Sequence, residues 1–264
     1  MNLLRNRLQA LILQNQKTPR LYEIRSEEGS DEATIYLYDF IDSFWGVSAE
    51  TFCKDLNAIK AGTIHLRINS PGGNAFDGVA IYTALEQHSS KIIAHIDGLA
   101  ASAASFIALA ADEVEIAAGA MIMIHRGQGI VMGDRDAMLK IADLLTKFDA
   151  NLVALYQRET GNTAEQIDEW LAAETWFNAE EAIEHGFADR LAPETASASA
   201  RAQAWDLSAY DRAPAAPSPS PVPPPADRDG PTPEQVAAEQ REVQAHRDRQ
   251  RRNNRLRLAE RTAN

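Results

Sequence analysis

The chain has little cysteine. Cys53 is the only one among 264 residues, so no intrachain disulfide can form. That fits a reducing cytoplasm. Cys53 also lacks the neighbours that activate a thiol, and it reads as a packed spectator. No apolar run reaches the roughly 18–20 residues that a membrane-spanning helix needs. Residues 1–19 have a short apolar centre and no small-residue cleavage site, which argues against a secretory signal. Positive charge is scarce as well. The net charge is −12; residues 241–264 hold eight Arg against three acids, or +5, so residues 1–240 carry −17. An acidic body argues against bulk nucleic-acid binding. A Gly-x-x-x-x-Gly-Lys nucleotide loop is also missing.

Hydrophobic residues make up 45% of the chain, enough for a real core. In residues 1–19 the apolar positions 3, 4, 8, 11 and 12 follow one helical face and predict a short amphipathic helix. Leu21–Ile24 and Ala33–Phe40 read as a strand pair around a Glu-Glu-Gly-Ser-Asp turn. Ser48–Ala61 reads as a helix capped by Ser48, and Phe76–Gln87 as another. Thr63–Ile68, Lys91–Ile96, Glu113–Ile116 and Met121–His125 read as strands, with a small-residue helix over Ser102–Ala111. Strand and helix alternate closely, which predicts α/β architecture with parallel pairing. Ile92–Ile96 and Met121–Ile124 are apolar nearly throughout, as strands covered on both faces are. Asp134–Glu159 is a long helix with a narrow seam of Met138, Ile141, Leu145, Phe148, Leu152 and Leu155. The seam suits either packing on its own domain or a projecting helix that meets another subunit. Thr163–Ala173 and Ala179–His185 complete the helices, the second capped by Asn178.

The composition then changes. Nine prolines fall in residues 212–233, which predicts an extended linker. Beyond it the chain is Arg-rich and nearly free of large apolar residues, as disordered segments are. The expected organisation is an N-terminal amphipathic segment at 1–19, a globular domain at 20–192, an Ala/Ser/Pro-rich linker at 193–233 and an Arg-rich tail at 234–264.

The chemistry centres on Asp97-Gly-Leu-Ala-Ala-Ser-Ala-Ala-Ser105. A serine hydroxyl is a poor nucleophile unless a base lies within hydrogen-bond reach and backbone donors await the oxyanion. Asn69-Ser-Pro-Gly-Gly-Asn74 lies upstream and Met123-Ile-His-Arg126 downstream. Gly72 and Gly73 can bring bare backbone against a substrate. Ser102 at a helix start is followed by the Ala103 amide, oriented for an oxyanion hole. Ser105 is a second serine, but the spacing from Gly98 favours Ser102. His65, His88, His95, His185 and His246 have no such company, and Asp77 and Asp97 cap or line the region.

Ile68-Asn-Ser-Pro-Gly-Gly73, Gly98-Leu-Ala-Ala-Ser-Ala103 and Ile122-Met-Ile-His125 resemble the three signatures of the Clp protease proteolytic subunit. Glu174-Thr-Trp-Phe-Asn-Ala-Glu-Glu-Ala182 is similar to the segment around that family's third triad member. The resemblance covers roughly residues 20–192. It implies the Clp/crotonase fold, a spiral of ββα units with a projecting handle helix at Asp134–Glu159. It implies a serine endopeptidase with Ser102 as nucleophile, His125 as base, Glu174 as third member, and Gly73 and Ala103 as oxyanion donors. The family usually has Asp where this chain has Glu174, which leaves Asp189 and Asp149 as rivals. No metal or organic cofactor is implied. The resemblance further implies cytoplasmic homo-oligomeric rings, commonly stacked heptamers, and leaves room for an unfoldase ATPase. Trp45-Gly-Val-Ser-Ala49 resembles phage and prophage members, which act in procapsid maturation on scaffold or capsid protein. A crotonase-type acyl-CoA enzyme, a Ser/Lys peptidase and a catalytically idle capsid-assembly protein are the alternatives. The His125 spacing speaks against the Ser/Lys type.

Overall fold

The computed structural model describes residues 7–26, 29–193 and 205–214. The 215–264 stretch, with most of the proline-rich linker and all of the Arg-rich tail, lies outside the described residues. So does His246.

The elements run α1 (Arg7–Gln14), β1 (Leu21–Ser26), β2 (Glu32–Tyr38), α2 (Ala49–Ala58), β3 (Thr63–Ser70), α3 (Ala75–Glu86), β4 (Lys91–Ala101), α4 (Ala103–Ala108), β5 (Glu113–Ile116), β6 (Met121–Ile124), α5 (Arg135–Thr160), α6 (Ala164–Ala173), β7 (Thr175–Phe177), α7 (Ala179–Glu184) and β8 (Arg190–Leu191). Ser48 and Asn178 cap their helices as expected, and Asn74 caps α3. Ser48 Oγ accepts from the Thr51 amide, Asn74 from Phe76 and Asp77, and Asn178 shares a capping box with Glu181.

One sheet organises the molecule, in the order β1-β2-β3-β4-β5-β8, with β6 on β4 and β7 on β6. The β2–β3, β3–β4, β4–β5 and β4–β6 pairs are parallel. Period-2 alternation decides the faces. Ile64, Leu66, Ile68, Ile92, Ala94 and Ile96 point into the core with α2, α3 and α4 residues and are at most 1% exposed. Burying a side chain of Leu or Ile size contributes about 1.5–3 kcal/mol. The other face of the same strands is polar. His65 and His95 touch ring to ring at 2.9 Å (Nδ1 to Nε2), and His95 and Arg190 both reach Glu115. The expectation that Ile92–Ile96 is covered on both faces therefore needs correction: Ile93 and His95 are only half-buried.

β4 is longer than expected. It continues through Asp97-Gly-Leu-Ala-Ala101, with Ile93–Ile96 against β5 and Leu99–Ala101 against β6. Gly98 and the alanines have weak strand propensity, and two sets of neighbours override it. The strand thereby ends at Ser102.

The apolar seam of α5 divides along the helix. Leu152 is buried, and Phe148 and Leu155 pack against the chain's own core. Ile141 and Leu145 are half-buried beside Gly129, and Met138, at the N-terminal end of the seam, is about half exposed, as are Leu139 and Leu144 off the seam. At 1.5 Å per residue this helix is about 39 Å long. Among the described residues, no helix is long and apolar enough to cross a membrane.

The linker expected over 193–233 contains a packed stretch. Residues 205–213 belong to the same compact unit as the body. Trp205 and Tyr210 are buried in a second apolar cluster with Leu11, Ile12, Phe40, Leu99, Ala101 and Met123. The Ala, Ser and Pro around them mask this short aromatic anchor in any average of composition.

Candidate active site

Ser102 stands between β4 and α4 in a conformation few residues adopt, φ 53° and ψ −121°. Such positions cost on the order of 1–3 kcal/mol. Hydrogen bonds hold it from both sides. The Ser102 amide donates to the Met123 carbonyl at 2.8 Å, and the Ser102 carbonyl accepts from the Ser105 amide at 3.0 Å. The Ser105 hydroxyl donates to that carbonyl at 2.5 Å. With its one proton used, Ser105 Oγ accepts from the Tyr156 phenol, 2.7 Å away. Ser105 is buried beneath the turn, whereas Ser102 faces a cleft.

His125 follows β6. Ala101 pairs with Met123, so β4 and β6 deliver the serine and the histidine to the same end of the sheet. His125 Nε2 lies 2.8 Å from Ser102 Oγ. Burial, and then the Arg7 cation, lower the His125 pKa to about 4, against the opposing influence of Glu174 and the Arg126 backbone. A neutral imidazole can accept the serine proton.

The glycine pair closes the turn after β3. A Cβ on Gly72 (φ 85°) would meet the Ala101 carbonyl oxygen at 2.5 Å and Ser102 Cβ at 2.8 Å; one on Gly73 (φ 154°) would meet the Ile41 oxygen at 2.1 Å. Only glycine lets this turn lie against the serine. Gly73 and Ala103 border the cleft, and their amides have no acceptor among the described residues. The cleft holds about 270 Å³ and is walled by Phe76, Phe106, Phe148, Leu152 and Tyr156. Arg7, Asn74, Arg126 and Gln128 line it too, so it is a trough of mixed character with a nucleophile at its edge.

Glu174 ends α6 at φ 50°, the other positive-φ position outside glycine among the described residues. β7 pairs antiparallel with β6, Ile124 opposite Thr175, which places Glu174 beside His125. The carboxylate is 8% exposed. Its oxygens accept from Arg7 Nη1 at 2.6 Å and from the Arg212 backbone amide at 2.7 Å. No hydrogen bond joins it to His125 among the described residues. The two rivals are engaged elsewhere. Asp189 accepts from the Val114 amide at 2.6 Å, and Asp149 from the Gly127 amide at 2.7 Å.

The remaining candidates stand apart. Asp97 pairs with Arg67 and Tyr38, and Asp77 accepts from Ser43. His88 accepts from the Ser90 amide, and His185 packs on Trp170 and Phe177. The Cys53 thiol is half-buried, and burial and then Asp77 raise its pKa, so it is a weak nucleophile. Arg7, Tyr156, Tyr210 and Arg212 reach the site without any motif to announce them. The one sequence signal was Trp205 and Tyr210, the sole aromatics after residue 193.

Comparison with known proteins places the chain in a family. A model of the family described as Clp protease matches residues 16–195. The chain is 30% identical over 168 residues to the ATP-dependent Clp protease proteolytic subunit 1 of Protochlamydia amoebophila, covering 61% of this chain and 81% of that protein. It is 31% identical over 150 residues to the ATP-dependent Clp protease proteolytic subunit 2 of Cutibacterium acnes, covering 54% and 71%. With the ATP-dependent Clp protease proteolytic subunit of Chlorella vulgaris it shares 29% identity over 134 residues, covering 50% and 67%. With residues 16–195 matched, more than half of its length, the chain belongs to the Clp protease family.

Proposed function

We propose that this protein is a serine endopeptidase. Ser102 is the nucleophile, His125 the general base and Glu174 the acceptor that orients His125. The Gly73 and Ala103 amides form the oxyanion hole. The observation that carries the reading is the 2.8 Å contact between His125 Nε2 and Ser102 Oγ beside the cleft.

Ser102 Oγ attacks the peptide carbonyl carbon while its proton passes to His125 Nε2. The carbonyl oxygen becomes an oxyanion and accepts hydrogen bonds from the two free amides. The C–N bond breaks as His125 gives the proton to the leaving amine, and an ester remains on Ser102. Water then loses a proton to His125 and attacks the ester. The acid product leaves, and the proton returns to Ser102 Oγ.

Family membership supports a homo-oligomeric ring, and the exposed apolar half of α5 suits a contact between copies. The narrower role is procapsid maturation, cutting scaffold or capsid protein with no unfoldase required. It is supported by the Trp45–Ala49 stretch and by the charged flank beyond the protease region. The test is labelling by a fluorophosphonate together with hydrolysis of a fluorogenic peptide. Wild type should show both and Ser102→Ala neither. Full labelling of Ser102→Ala would refute the assignment.

A further inference from the structure

Each oxygen of the Glu174 carboxylate accepts a hydrogen bond, and neither bond comes from His125. One holds Arg7 of α1, the other the Arg212 amide. Both donors lie outside the 16–195 stretch shared with the family. They are parts of a built assembly. Arg7 also pairs with Asp211 and lies over the Tyr210 ring, 5.4 Å from its centroid. The Tyr210 phenol donates to the Pro71 carbonyl at 2.7 Å and interacts with the Ser102 side chain. Its ring stands edge-on to His125 at 5.8 Å and to Trp176 at 5.6 Å. Trp205 Nε1 donates to the Asn69 carbonyl at 3.2 Å. Asn15 and Asp206 exchange two bonds: the Asn15 amide group donates to the Asp206 carbonyl, and Asn15 Oδ1 accepts from the Asp206 amide. Residues 205–213 therefore form a strap across α1, the glycine turn and the proposed triad.

We propose that α1 and this strap are a latch that holds the Glu174 carboxylate away from His125, keeping the peptidase slow until the latch lets go. The proposal rests on the roles given to Ser102 and His125 above. An imidazole without a hydrogen-bonded carboxylate partner is a poorer base, because the imidazolium formed on proton transfer is less stabilised; in a serine protease, loss of that acceptor lowers kcat by about 10⁴. Here Arg7 both neutralises the carboxylate and sets a cation beside the ring, two effects of the same sign. Tyr210 meanwhile occupies the space next to Ser102. Release requires little of the fold. The β6–β7 register already places Glu174 beside His125, so a carboxylate freed from Arg7 and Arg212 needs only to turn its side chain.

The test uses the full chain with the two donors removed separately. Arg7→Met deletes one, and Arg212→Pro deletes the other, since proline has no amide proton. The rate of fluorophosphonate labelling at Ser102 and the hydrolysis of a small peptide are measured in variants whose circular dichroism and melting match wild type. Each single variant should react at least roughly tenfold faster than wild type, and the double variant faster still. Adding Glu174→Ala should abolish the gain, since the latch acts through that carboxylate. Folded variants that react at or below the wild-type rate would overturn the latch and leave the peptidase reading standing. If no protein labels, wild type included, both fall. Should Arg7→Met unfold, Arg212→Pro alone decides, because Arg212 is exposed and its contact to Glu174 is made by the backbone amide.

Discussion

His125 and Glu174 leave adjacent antiparallel strands side by side, set there by the pairing of Ile124 with Thr175. They come from positions about fifty residues apart and separated by the whole of α5 and α6. The neighbourhood is a property of the ladder. The hydrogen bond that the chemistry wants between them is not made, because Arg7 and Arg212 hold the carboxylate first.

The two serines should part under mutation. Ser102→Ala abolishes phosphonate labelling. Ser105→Ala keeps labelling but slows it, because the strained Ser102 carbonyl loses a donor and the Tyr156 phenol loses its acceptor. The unpaired phenol should also lower stability by about 1–3 kcal/mol. Equal labelling in both variants would contradict the assignment.

The acid limb of activity should lie low. The base must be neutral to accept a proton, and burial with Arg7 brings the His125 pKa down to about 4. Labelling should persist as the pH falls below the ordinary histidine value and fail near pH 4. In Arg7→Met, with the cation gone, the limb should move upward. A wild-type limb at 6.5 or above would show that His125 is not so perturbed.

Stability should depend on pH through the polar face of the sheet. The hydrogen bond from His95, aided by Arg190, holds the Glu115 carboxyl at about 2, below its ordinary value of 4.5. A depressed carboxyl stabilises the fold above its unfolded pKa and loses that contribution as pH falls through the folded one. Urea melts of wild type should therefore weaken from about pH 4.5 toward 2, and those of Glu115→Gln should change less over that window. Parallel curves would remove Glu115 from the account.

Assembly should respond to the free half of α5. Leu139→Glu with Leu144→Glu places two charges on an apolar contact without partners. Sizing chromatography with light scattering should show a fall to smaller species. An unchanged mass would mean that this face is not an interface. Phe148 is unsuitable for the test because it walls the cleft.

Most local structure was legible in the residues. Ser48, Asn74, Asp134 and Asn178 start helices because their side chains accept from the amides two or three positions on, a contact set by covalent proximity. Apolar alternation set the core face of β3, and the serine, histidine and glycine motifs carried recognisable chemistry in short windows. What tertiary structure alone decided involves residues far apart in the chain. It extended β4 through a glycine and alanines by giving it two partners. It set Glu174 beside His125 by ladder register and engaged Asp189 and Asp149 with other amides. It brought Arg7, Tyr210 and Arg212 beside Glu174 and His125 from opposite ends of the protease region. A sequence window shows what a residue can donate or accept; only the packed chain decides which partner arrives, because buried polar groups take the nearest one the fold supplies.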